Sequence, residues 1–530
     1  MKRKSYGIYI CLLCLLAAAC WSMAGASADL DYIRAAGQQS LYKLTVTTSR
    51  GMIYDCNMNP LVNRTSETVA AVPPSVEAMA QLNADAGETD RRLFAAHLES
   101  GTPFLYEVDA KKKYEDLDVF EVPRRYAEDQ LASHVIGYTD SMGNGVTGVE
   151  QAMNSVLSRS SGEVAVYYRT DALGRMILGD EREVVDTTER TKAGVVLTLD
   201  SMLQAKTEEL AQRLGKGSVI VAEVPNCEIR ALASVPDFTP AHLDEAAGRT
   251  DGPLVNRAFA AYSPGSVFKL VTATDALERN MGGYSYTCTG QTEVSGLTFH
   301  CFDGDAHGRV DLTDAIAKSC NGYFIQAGLR QGGTSLLAAA SNLGFGKSLS
   351  FGAGLEAVSG TLPATTELLN ERALANFSFG QGTLTVTPLQ IAGLINTIAA
   401  GGEYAQPLLI AGTVDDSRQY IAAFSGEKTR VMQESTARTL RTAMEKAVDS
   451  GTARHGKPQQ VKAGAKTGTA QTGVFTDGGE LNHYWYAGYL SDGSGPRYVI
   501  VVMREGVVSD DQVTAGIFKE LSDFIAAEIF

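Results

Sequence analysis

The chain has 530 residues and a formal net charge of −15, from 46 Lys and Arg against 61 Asp and Glu. That balance argues against a dedicated nucleic-acid binder, which neutralises phosphates with clustered basic residues. At 44% hydrophobic and 20% charged residues the chain is too apolar to be disordered, its eight Cys are too sparse for a disulfide scaffold, and its length allows several domains.

Met1-Lys2-Arg3-Lys4 precedes an uncharged apolar run of 19 residues, Tyr6 to Ala24. As a helix rising about 1.5 Å per residue, this run would span roughly 28 Å, close to a hydrocarbon core of about 30 Å. The basic flank predicts a signal anchor over 1–28, with its tip cytoplasmic and the chain after about 28 outside the cell membrane. Cleavage as a signal peptide at Ala24-Gly25-Ala26 or Ala26-Ser27-Ala28 is the competing expectation. Residues 29–195 are polar and irregular, with turn clusters such as 140–145 and a mixed-charge run over 180–192. They read as a separate extended module and its linker.

From 196 to 530 the texture is that of a second domain. Val195–Leu199 leads into a predicted helix over 201–214, with Met202, Leu210 and Leu214 on its apolar side. Two strands follow, over 218–224 and 229–234, joined by a turn at Pro225-Asn226. A helix over 266–277 is apolar nearly all round, as expected inside a core. Three late strands are predicted over 465–472, 484–490 and 497–503, and a last helix over 511–530 carries Val513, Ile517, Leu521, Phe524 and Ile525 at helical spacing. Two strands early, three late and helices between them predict an α+β domain with one antiparallel sheet of about five strands flanked by helices.

Three short motifs occur in order: Ser266-Val267-Phe268-Lys269, Ser319-Cys320-Asn321 and Lys466-Thr467-Gly468-Thr469. Ser-x-x-Lys also occurs at Ser40–Lys43 and Ser425–Lys428, so the pattern alone is weak; only the copy at Ser266 follows Pro264-Gly265 and opens the apolar helix. Residues three apart share a helix face, which lets Lys269 reach the Ser266 hydroxyl. An amine in an apolar helix is desolvated, its pKa falls, and a neutral amine beside a serine is a general base. The bland alternatives are a helix-capping serine and a snorkelling lysine.

As a set, the motifs resemble those of class B penicillin-binding proteins, the monofunctional peptidoglycan transpeptidases. The resemblance extends over roughly 45–530. Pro253-Leu254-Val255-Asn256-Arg257-Ala258 is similar to the family's approach to its nucleophile, His307-Gly308 leading to Ser319 is similar to its second motif, and Phe379-Gly380-Gln381-Gly382 with Thr387-Pro388-Leu389-Gln390 resembles a signature further along. In the N-terminal module, Arg50-Gly51-Met52-Ile53-Tyr54-Asp55, Arg124-Arg125-Tyr126 and Gly145-Val146-Thr147-Gly148-Val149-Glu150 match as well. Cys56 and Ala127 depart from the family's usual Arg and Pro, which bears on that module's partner contacts.

The resemblance implies a transpeptidase domain on an N-terminal pedestal (29–195) behind a membrane anchor. It also implies roles. Ser266 would attack the penultimate D-Ala carbonyl of a stem peptide and form an acyl-enzyme; Lys269 would take its proton. Ser319 would relay a proton to the leaving amine, and Asn321 would bind the peptide and Lys269. Lys466 and Thr467 would hold the substrate carboxylate or shape the field around Ser319. The backbone N–H groups of Ser266 and Thr469, across Gly468, would form the oxyanion hole. β-Lactams would acylate Ser266. Implied partners are nascent peptidoglycan strands and a SEDS-type membrane glycosyltransferase. No cofactor is implied, because the chemistry is acyl transfer.

Alternatives are a β-lactamase, a bifunctional enzyme with glycosyltransferase activity, a D,D-carboxypeptidase using water, and a non-catalytic β-lactam or muropeptide binder. Glu367-Leu368-Leu369-Asn370 is one residue short of a Glu-x-x-x-Asn deacylation motif, and 115–120 is off by one from a glycosyltransferase Glu-Asp-x-x-Phe. Outside the apolar run the cysteines are Cys56, Cys227, Cys288, Cys301 and Cys320. They show no Cys-x-x-Cys spacing, so no structural metal site is expected; Cys288 and Cys301 could pair or stay free.

Overall fold

The structure is a computed structural model that describes residues 12–22, 41–83, 86–115, 117–171, 173–179 and 182–530. Most of the predicted anchor's flanks lie outside these residues. Residues 12–22 are helical, and among the described residues no helix is long and apolar enough to cross a membrane.

The chain forms two compact units. The first comes from the described parts of 1–49, 65–124 and 161–191. Its strand Thr65–Val72 runs antiparallel between Phe104–Glu107 and Asp118–Arg124, and a second sheet pairs Leu41–Ser49, Gly162–Arg169 and Glu183–Asp186. Side chains alternate across a strand. Accordingly Ala70 and Val72 pack with Met79, Phe94 and Phe104, while Val69 and Ala71 pack with Val122, Val166 and Tyr168.

The second unit comprises 50–64, 125–160 and 192–530. The sequence reading drew one boundary near 195; contacts instead group 50–64 and 125–160 with the C-terminal residues. Met52–Tyr54 pairs in parallel with Gly194–Leu197 and Ala132 N donates to Glu208 at 2.7 Å, and a buried ion cluster built from three of the N-terminal motifs ties 50–64 to 125–160. Glu150 is fully buried; its carboxylate accepts from Arg50 Nε at 2.7 Å and Arg125 Nε at 2.8 Å, and Tyr126 Oη donates to it at 3.2 Å. Arg50 also donates to the Glu150 carbonyl at 2.9 Å and to Asn154 Oδ1 at 2.7 Å. Removing one partner of a buried ion cluster strands the others' charge, at a typical cost of about 3–5 kcal/mol. Glu150→Ala should therefore lower the unfolding temperature far more than the exposed pair partner Glu88→Ala, as read by calorimetry.

The remaining elements carry the site. Helix α1 is Ser201–Ala211, followed by strands β1 (Gly217–Glu223) and β2 (Glu228–Val235). Then come helices α2 (Lys269–Glu278), α3 (Leu312–Ala317), α4 (Asn321–Gln331), α5 (Pro388–Ala399) and α6 (Glu434–Ser450), strands β3 (Lys462–Thr476), β4 (Gly479–Asp492) and β5 (Gly495–Val507), and helix α7 (Val513–Glu528). The sheet order is β2-β1-β5-β4-β3, antiparallel throughout, with β3 at an edge. This is the predicted sheet, with its late strands longer than expected.

Helices cover both faces, so the central strands are apolar at successive positions rather than alternating. Val219, Val221, Ile500 and Val502 face Leu203, Ile517, Phe518, Leu521 and Ile525. Ile220, Ala222, Val499 and Val501 face the larger core that holds α2 and α5. One helix assignment needs correction: Leu203 and Leu210 of α1 and Leu214 of the 3₁₀ turn after it are buried, whereas Met202 is exposed. Asp200 caps α1 by accepting from Leu203 N at 3.0 Å, and that register turns Leu203 inward.

Candidate active site

The predicted helix at 266 begins as a 3₁₀ turn, Gly265–Phe268, that runs into α2. Ser266 is half-buried and reachable, while Lys269 is fully buried. One turn apart, they meet: Lys269 Nζ lies 2.9 Å from Ser266 Oγ. Ser319 follows α3, and Asn321 opens α4. Lys269 Nζ lies 2.8 Å from the Ser319 carbonyl, 3.1 Å from Ser319 Oγ and 2.6 Å from Asn321 Oδ1. Lys466, on the edge strand β3, is also fully buried and donates to Ser319 Oγ at 2.9 Å and to the Thr467 carbonyl at 2.8 Å. The five predicted catalytic side chains thus form one connected network.

The acceptors around Lys269 define what its neutral form can do. The Ser319 carbonyl and Asn321 Oδ1 can only accept. A neutral Lys269 amine has two N–H groups for them, which leaves its lone pair for the Ser266 hydroxyl. Asn321 is oriented by its other end, where Nδ2 donates to the His300 carbonyl at 2.8 Å. Burial favours that neutral form: desolvation lowers the Lys269 pKa to about 7. Desolvation, and then the neighbouring charge of Lys269, likewise hold Lys466 well below its usual range. Two amines thus flank Ser319 Oγ, and Lys269 links it to Ser266.

The backbone is shaped for this arrangement. Ser319 has φ +55°, a left-handed conformation that costs a non-glycine residue about 1–3 kcal/mol and clusters at functional sites. It aims both the carbonyl and the hydroxyl of Ser319 at Lys269. Gly265 has φ +53°, and a Cβ there would lie 2.4 Å from the Thr469 carbonyl. At Gly468 a Cβ would lie 2.9 Å from the Pro264 carbonyl and 3.0 Å from Val267. These two glycines let the nucleophile turn press against β3. That contact places the backbone of Ser266 beside that of Thr469, the two segments expected to offer oxyanion N–H groups. Thr467 and Thr469 are half-buried on the edge strand, and Thr467 Oγ1 bonds Thr452 Oγ1 at 2.9 Å.

Sequence reasoning missed several supports. Thr452 and the His300 carbonyl belong to no motif. Trp485 Nε1 donates to the Ser263 carbonyl at 3.0 Å and anchors the approach to the nucleophile. Arg257, nearly fully buried, pairs with Glu505 at 2.7 Å. The candidate deacylation residues are engaged elsewhere: Glu367 accepts from Thr383 at 2.9 Å, and Asn370 caps the helix Glu371–Ser378. The other Ser-x-x-Lys lysines serve surface contacts, Lys43 with Glu163 and Lys428 with Asn226. Cys288 and Cys301 are not joined by a disulfide; their Sγ atoms lie 3.6 Å apart.

A Ser-x-x-Lys serine on a buried lysine, a Ser-x-Asn turn and a Lys-Thr-Gly edge strand now stand together. The sequence profile of the transpeptidase family, described as the penicillin binding protein transpeptidase domain, matches residues 217–523, more than half of the chain. The chain belongs to the penicillin-binding protein transpeptidase family. Stage V sporulation protein D of Bacillus subtilis (strain 168) is 29% identical over 454 residues, spanning 80% of this chain and 69% of that protein. The peptidoglycan D,D-transpeptidase FtsI of Escherichia coli (strain K12) is 28% identical over 512 residues, spanning 91% of this chain and 82% of the other. Among solved structures, penicillin-binding protein 3 of Mycobacterium tuberculosis, complexed with aztreonam, aligns with a TM-score of 0.67 at 22% identity, covering 92% of this chain and 97% of that one. The fold is therefore that of the penicillin-binding protein transpeptidases.

Proposed function

We propose that this penicillin-binding protein is a monofunctional class B peptidoglycan D,D-transpeptidase. The observation that carries the reading is the fully buried Lys269 Nζ 2.9 Å from Ser266 Oγ, with the Ser319 carbonyl and Asn321 Oδ1 accepting from it at 2.8 and 2.6 Å. In the reaction, the Ser266 hydroxyl passes its proton to Lys269 Nζ as its oxygen attacks the penultimate D-Ala carbonyl. The N–H groups of Ser266 and Thr469 hold the oxyanion. The tetrahedral intermediate expels terminal D-Ala, whose amine takes a proton through Ser319. Thr467 and Lys466 face the terminal carboxylate. An acceptor amine from a neighbouring strand then displaces Ser266 and leaves a cross-link. β-Lactams present the same acyl geometry and acylate the same oxygen.

Residues 29–195, apart from the 50–64 and 125–160 stretches that group with the C-terminal unit, are read as supplying a pedestal for the catalytic domain, and the apolar run near the N-terminus as a signal anchor that holds it outside the cell membrane. Its length, lack of charge and basic flank support that reading. A SEDS-type glycosyltransferase is the expected partner of the N-terminal module. Incubating the full chain with pentapeptide glycan strands and an amine acceptor tests the activity. The expected products are cross-linked dimers and free D-Ala in equal amounts. D-Ala release with tetrapeptide alone would make the protein a carboxypeptidase, and no release with no covalent β-lactam adduct would make it a binding scaffold.

A further inference from the structure

Four side chains that the acyl-transfer chemistry leaves unused meet beside the Ser319 turn. Cys288 ends the strand Tyr286–Cys288, Cys301 follows Leu297–His300, His307 precedes Gly308–Val310, and Cys320 stands between Ser319 and Asn321 at the start of α4. The three cysteines are buried and His307 is half-buried. Their donor atoms all lie within 4.8 Å of one another.

The separations distinguish the chemistry. Cys288 Sγ is 3.6 Å from Cys301 Sγ and 3.4 Å from His307 Nδ1. A disulfide closes to about 2.05 Å. On a tetrahedral zinc ion, with Zn–S about 2.3 Å and Zn–N about 2.05 Å, two sulfurs stand about 3.8 Å apart and a sulfur and a nitrogen about 3.6 Å apart. These two separations are those of neighbouring ligands on one ion, and all four donors lie close enough to share it. Three thiolates and one imidazole are also a recognised structural zinc donor set, and soft thiolates favour zinc over magnesium or calcium.

The local fold explains why a staple belongs here. Residues 286–310 form two ribbons, Tyr286–Cys288 with Gly308–Val310 and Gln291–Val294 with Leu297–His300, each of only two strands. A two-stranded ribbon is marginal by itself. The four donors sit where both ribbons meet the α4 N-terminus.

We propose that Cys288, Cys301, His307 and Cys320 form a closed Cys₃His zinc site that positions the second catalytic motif. Four protein ligands leave no open position for a reacting water, so the ion is structural. Its influence reaches the active site along two short paths. Cys320 is bonded to Ser319 on one side and Asn321 on the other. Cys301 follows His300, whose carbonyl holds Asn321 Nδ2. The zinc therefore fixes the side chain that presents Oδ1 to Lys269. No spacing motif announces this site, because twelve, five and twelve residues intervene between successive donors, which come from separate elements.

Elemental analysis of the full chain, purified without chelator, tests the proposal. The expected result is about one zinc per chain, and cobalt(II) exchanged into the protein should show the ligand-field and thiolate charge-transfer bands of a tetrahedral site. Cys288→Ser and His307→Ala, which leave Lys269's partners untouched, should lower zinc content about ten-fold or more, whereas Cys56→Ser should retain it. Stripping the metal from the wild-type chain should slow acylation of Ser266. Sub-stoichiometric zinc together with no tetrahedral cobalt spectrum would overturn the proposal. So would a Cys288–Cys301 or Cys301–Cys320 disulfide in the unreduced protein as isolated.

Discussion

Ser266→Ala should abolish release of D-Ala from a stem peptide, with a loss on the order of 10⁴-fold or more, as follows when the nucleophile of a serine acyl-transfer enzyme is removed. Nothing nearby can replace it. Ser319 Oγ, the other hydroxyl within reach of Lys269, lies 3.1 Å from that amine but 2.9 Å from Lys466 Nζ, and it serves as the relay between the two amines. The substitution removes one half-buried oxygen and leaves the surrounding packing intact, so the variant should unfold at the wild-type temperature. Residual turnover above one-tenth of wild type, with folding intact, would place the nucleophile elsewhere.

Lys269→Arg should be nearly as damaging, by the roughly 10²–10⁴-fold that a general base contributes. A guanidinium keeps the charge but has no lone pair to offer Ser266 and does not deprotonate in a protein. Lys269→Met keeps a similar stem without charge and separates loss of the base from any strain of the larger Arg head; both variants should fail to acylate. The same argument fixes the pH dependence. The base works when neutral, and burial brings the Lys269 pKa down to about 7. The acylation rate should therefore be low in acid, climb as pH rises through about 7 and level off above it. The inflection belongs to the coupled Lys269–Ser319–Lys466 network rather than to one residue. A rate that is flat across neutrality, or that falls as pH rises through about 7, would show that Lys269 is not the base.

Much of this site was legible because its parts are short and local. Ser266 and Lys269 are three residues apart on a helix whose apolar surround already implies desolvation, and the resemblance of the three motifs supplied their order. The sheet was legible for a related reason: strands buried on both faces are continuous apolar runs, and β1, β4 and β5 are such runs. What escaped depends on residues distant in sequence. Arg50, Arg125 and Glu150 read as parts of an N-terminal module, yet their buried charges find one another only within the C-terminal unit. The inward turn of Leu203 depended on where the Asp200 cap set the helix register. Gly265 and Gly468 stood in or beside the motifs, but the close approach of β3 to the nucleophile turn that each permits is long-range and left no local mark. The cysteine cluster failed the usual spacing test because four separate elements supply its ligands.

The most direct measurement is the intact mass of the full chain after reaction with benzylpenicillin, followed by peptide mapping of the adduct. A desolvated lysine facing one serine predicts a single added drug per chain, carried by the peptide that contains Ser266 and stable over the time of digestion. An adduct on any other side chain, or an unmodified mass from folded protein, would contradict the account.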